Sequence, residues 1–79
     1  MAVYCYITFP TVYFAMQAEA SLAGKPYQAK LVPVPRVISS SCGTALRCSC
    51  REAQAITQIL TENKVEFGSV HHLADPLLK

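Results

Sequence analysis

The sequence predicts an α+β fold with elements in the order βαββαβ, and three features of the chain lead there. Apolar and polar residues alternate over three short runs, two longer stretches repeat apolar residues at helical spacing, and most prolines and glycines fall between these segments. In residues 3–9, Val3, Cys5, Ile7 and Phe9 share one face while Tyr4, Tyr6 and Thr8 share the other, as in a strand. Pro10 ends that run. Thr11 can cap a helix that reaches Leu22, with Phe14, Ala15, Ala18 and Leu22 as its apolar stripe and Gly24 as its stop.

Residues 27–32 read as a second strand, and the prolines that follow it suit a sheet edge, where a missing N–H costs little. Residues 44–50 alternate again, with Leu46, Cys48 and Cys50 on one face and Arg47 and Ser49 on the other. A second helix is predicted over 51–64 from the spacing of Ala53, Ile56, Ile59, Leu60 and Asn63, and a last strand over 65–71. This order is the ferredoxin-like two-layer sandwich, an antiparallel sheet with both helices on one face. The expected domain spans 1–72, followed by a tail over 73–79.

Composition narrows the functional classes. A chain of 79 residues forms one small domain with limited burial, so dimerisation would add to its stability. With 52% hydrophobic and 15% charged residues it is too apolar to be disordered. The seven basic residues are scattered and the net charge is only +2, which argues against nucleic-acid binding. The first residues lack a basic leader and are interrupted by Thr8, Pro10 and Thr11, so neither export nor a membrane span is expected, and a cytoplasmic location is. In that compartment Cys5, Cys42, Cys48 and Cys50 are expected to be free thiols.

The stretch PVPRVISSSCG, residues 33–43, is longer than a hairpin connection needs. Pro33 and Pro35 stiffen its entry, three serines lead to Cys42, and Gly43 permits the positive φ that turns backbone N–H groups toward a sulfur or an anion. In the usual strand order 4-1-3-2 this loop lies at the end of the sheet where the first helix begins, so Cys42 is expected beside Thr11 and the unpaired N–H groups of the helix start. Strand rise of about 3.3 Å per residue puts Cys42 and Cys50 about 26 Å apart, too far for a disulfide.

The segments ITFPT, AEASLAG, LVPVPR and SSSCG together resemble the small bacterial family of selenium/sulfur carrier proteins. The resemblance runs from about Ile7 to the second helix and is most specific at PVPRVISSSCG. It implies that Cys42 bears a persulfide or perselenide and relays the atom between donor and acceptor proteins, with Arg36, Ser41 and Gly43 around it. Glu19 is a weaker match, and the Cys48-Ser49-Cys50 pair departs from the family pattern. Thr11 joins the site through the topology. Such a protein is a carrier or accessory factor more than a stand-alone enzyme, and no cofactor is expected.

Two other classes compete. One is a non-catalytic ligand-binding or regulatory module that forms a homodimer through a sheet face bearing Tyr4, Tyr6, Val32 and Arg47, or through the proline-stiffened edge. The other is a metal protein using Cys48, Cys50, His71 and His72. It is disfavoured because a C-x-C inside a central strand points both thiols into the core, as packing residues. The site expected from sequence therefore contains no metal ligand.

Overall fold

A computed structural model describes residues 3–38 and 43–74 of the chain. The elements follow in the order β1 (Val3–Thr8), α1 (Val12–Leu22), β2 (Ala29–Pro33), β3 (Thr44–Ser49), α2 (Cys50–Glu62) and β4 (Val70–Ala74). The four strands form one antiparallel sheet ordered β2-β3-β1-β4, the arrangement of a ferredoxin-like α+β sandwich. β2 is an edge strand, and Pro33 is its last residue. Among the described residues, no helix is long and apolar enough to cross a membrane.

The central pair is β1 with β3, in a register that sets Cys5 opposite Cys48 and Ile7 opposite Leu46. These side chains are buried, and the same cluster takes Ala15, Ala18 and Leu22 from α1 and Ala53, Ile56 and Leu60 from α2. The alanines let α1 approach the sheet closely. Burial of a side chain the size of Leu46 or Ile56 contributes about 1.5–3 kcal/mol, so this cluster is the main source of stability.

Helix ends explain where the structure departs from the alternation. Strand β3 stops at Ser49, whose side chain accepts a hydrogen bond from the Arg51 N–H at 3.3 Å and caps α2. Cys50 is therefore the first residue of α2 and not the last residue of an inward strand face. Glu52, in the first turn of α2, accepts from the Gln28 N–H at 3.1 Å and ties the helix start to the entry of β2. At the other end Lys64 has a φ of 60°, and the Val65 N–H reaches back to the Leu60 carbonyl at 2.8 Å. That is a Schellman-type stop with Val65 folded onto the core.

The last strand is thereby displaced. The alternation predicts it over 65–71, but Val65 and Phe67 pack at the helix end and against the core, and the ladder begins only at Val70. Between them Gly68 and Ser69 lie against the end of β1, with the Gly68 N–H donating to the Thr8 carbonyl at 2.7 Å and the Thr8 N–H to the Ser69 carbonyl at 3.0 Å. Leu73 and Ala74 continue the pairing, opposite Tyr4 and Val3.

The second face of the sheet is also covered. Tyr6, only 4% exposed, packs with Ile38 and Ala45, flanked by Tyr4, Val32, Val34 and Leu73. Tyr6 is thus not available as a bare dimer face, because the segment after β2 returns to seat Ile38 over it. The turn that makes this return is closed by the Ile38 N–H donating to the Pro35 carbonyl at 2.9 Å. Arg47 lies 4.8 Å from the ring centroid of Tyr4 on the same face, a cation–π contact.

Two substitutions test this packing. A Cβ at Gly68 would sit 2.6 Å from the buried Thr8 Oγ1, which already accepts from the Ser69 N–H. Gly68→Ala should cost about 1–3 kcal/mol in urea unfolding, and less in a Thr8→Ala background where the clash is gone. Ile38→Ala should cost about 2 kcal/mol by uncovering Tyr6 and leaving a gap; an unchanged unfolding midpoint would show that the segment does not seat there.

Candidate functional site

Two regions at opposite ends of the sheet carry the chemistry-bearing residues. The first is the end where the chain leaves β1 and enters β3, since Thr8 pairs with Ala45 and Pro33 with Thr44. The neck of the β2–β3 connection is closed by the Val34 N–H donating to the Gly43 carbonyl at 3.1 Å. Gly43 has a φ of 73°, in the left-handed region that favours glycine. Thr11 stands at the N-cap of α1 with extended backbone, and its side chain makes no capping hydrogen bond. No acidic residue occupies the first turn of α1, so its own side chains do not neutralise the positive end of the helix dipole.

Of the residues predicted for this site, Thr11 and Gly43 are thus at the same end of the sheet, both exposed. Arg36 is exposed in the connection between β2 and β3, and Glu19 is exposed on α1. Ser41 and Cys42 lie outside the described residues, and so does the expected approach of Cys42 to Thr11.

The second region is the opposite end, where β1 begins, β3 ends and α2 starts. Cys5 pairs with Cys48 on one side and with His72 on the other, so β1 brings three potential ligands into one row across the sheet. Cys50 enters from the first residue of α2. The Cys5 thiol donates to the Cys50 sulfur at 2.8 Å, and the Cys50 thiol has a longer contact of 3.8 Å to the Val3 carbonyl. The Sγ atoms of Cys5 and Cys50 and a ring nitrogen of His72 all lie within 4.8 Å of one another. His71 is differently engaged, with Nε2 2.8 Å from Ser69 Oγ.

Burial sets the reactivity of these thiols. Cys5 is pushed up to about 12, first by loss of water and then by its hydrogen bond and charge interaction with Cys50. Cys48 is pushed up to about 11, first by burial and then by the neighbouring charges of Cys50 and Glu52. Both therefore remain protonated near neutral pH and are poor nucleophiles. This agrees with the sequence reading of Cys5 and Cys48 as inward-facing. Sequence reasoning did not foresee the meeting of Cys5, Cys50 and His72, which depends on the helix cap at Ser49 and on the displaced register of β4.

Comparison with known proteins adds the family. The model described as "Putative Se/S carrier protein-like" matches residues 4–72. No curated protein and no solved structure matches the chain. Because the match spans all six elements up to the middle of β4, and takes in PVPRVISSSCG, the chain belongs to this Se/S carrier protein-like family.

Proposed function

We propose that the protein carries a sulfur or selenium atom on Cys42 and relays it from a donor protein to an acceptor protein. The observation that carries this reading is the family match over residues 4–72, which includes Cys42 and its PVPR and SSSCG flanks. Two of the other cysteines are unsuited to the task, since Cys5 and Cys48 are buried and protonated near neutral pH.

The transfer is a two-electron exchange with no net oxidation. The Cys42 thiolate attacks the outer sulfur of a donor persulfide, the donor S–S bond breaks, the donor leaves as a thiolate, and Cys42 becomes a persulfide. The acceptor reverses the sequence. Arg36, Ser41, the backbone beside Gly43 and the start of α1 at Thr11 are the groups assigned to stabilise negative charge on the sulfur. A cytoplasmic setting, where thiols stay reduced, goes with this chemistry. A second copy of the chain, as homodimer partner, would meet the open β2 edge, since Ile38 covers Tyr6.

Mass spectrometry after exposure to a small persulfide donor tests the assignment. One sulfur atom should be gained on the Cys42 peptide, none in Cys42→Ser, and reductant should remove it. Arg36→Ala should slow loading about fivefold, as expected for an exposed charge contributing about 1 kcal/mol. Loading that persists undiminished in Cys42→Ser would refute the assignment.

A further inference from the structure

Cys5, Cys50 and His72 come from three different elements, β1, α2 and β4, yet their ligand atoms fall within 4.8 Å of one another. The group is graded from core to surface, with Cys5 buried, Cys50 half-buried and His72 exposed. It opens onto a cleft lined by Cys50, Ala53, Gln54, Thr57, Val70 and His72. Two sulfurs and one imidazole form a soft and borderline donor set, and no carboxylate joins them among the described residues.

We propose that Cys5 Sγ, Cys50 Sγ and a ring nitrogen of His72 form a binding site for a zinc ion, with the fourth coordination position open to the cleft. The donor types match zinc, whereas calcium and magnesium require oxygen ligands. Zinc–sulfur bonds of about 2.3 Å at a tetrahedral angle set the two sulfurs about 3.8 Å apart. The pair stands at 2.8 Å, so the sulfurs must separate by roughly 1 Å on binding. Cys50 can supply that movement, because it is half-buried at the first position of its helix and its polar contact to the Val3 carbonyl is a long one, 3.8 Å.

The binding step balances without redox change. Both thiols release their protons to solvent, each sulfur donates a lone pair to the cation, and His72 donates the lone pair of a neutral ring. Linking Cys5 and Cys50 as a disulfide would instead require an oxidant to accept two electrons. The zinc site lies at the opposite end of β3 from the Cys42 connection, so it is independent of the carrier reading.

Cobalt(II) titration of the full chain in a Cys42→Ser background is the direct test, because thiolate-to-cobalt charge transfer and strong tetrahedral d–d absorption report sulfur ligation. A single equivalent should bind with both signatures, and zinc should displace it. Cys50→Ser and His72→Ala change half-buried and exposed positions, keep the core residue Cys5, and should each weaken binding at least about tenfold with unchanged circular dichroism. Absence of the charge-transfer band would overturn the site. So would a variant, Cys50→Ser or His72→Ala, that binds cobalt as tightly as the parent protein, or recovery of a Cys5–Cys50 disulfide from the native protein.

Discussion

β1 and β3 lie side by side at the centre of the sheet, and their register constrains everything attached to them. With Ile7 opposite Leu46 and Cys5 opposite Cys48, one face of the pair is committed to the cluster joined by both helices. The other face is then committed as well, placing Tyr6 opposite Arg47 and Ala45 opposite Thr8. A slip of one residue would exchange the two faces and expose every core side chain of the slipped strand. The same register fixes the two ends of the molecule. The chain enters β3 where it leaves β1, and it leaves β3 where β1 begins.

The three described cysteines consequently experience unlike surroundings. Cys5 and Cys48 stand on the inward rows of adjacent strands, where desolvation favours the neutral thiol. Cys50 is released from that row by the Ser49 cap and is carried toward the surface by α2, close to His72. Cys42 belongs to the PVPRVISSSCG segment that the family match covers. The described parts of that segment are anchored, by Ile38 against Tyr6 and by the Val34 to Gly43 hydrogen bond.

Much of the fold was legible because it depends on local pattern. Alternation over residues 3–9 and 44–50 identifies the central strands, and helical spacing identifies Ala15, Ala18, Leu22, Ala53, Ile56 and Leu60 as core. Prolines marked β2 as an edge. What was missed depends on contacts distant in sequence. Val65 and Phe67 alternate like strand residues, but the left-handed Lys64 turns them onto the helix end and core, which displaced the predicted β4. Tyr6 reads as an outer-face residue until Ile38 is seen to fold over it. Cys50 continues the alternation of Cys48, and only the side-chain cap at Ser49 shows that the helix has already begun. For the proposed carrier site, the sequence motif nominates Arg36, Ser41, Cys42 and Gly43, and topology alone brings Thr11 and Gly43 to one end of the sheet.

Unequal availability of these thiols underlies both proposed sites, and timed alkylation of the native, reduced, metal-free protein with peptide-level mass analysis measures it directly. Cys42 should be modified first and Cys50 later, with Cys5 and Cys48 protected until denaturant is added. Rapid modification of Cys5 or Cys48 in the folded protein, or a Cys42 that reacts only after unfolding, would contradict it.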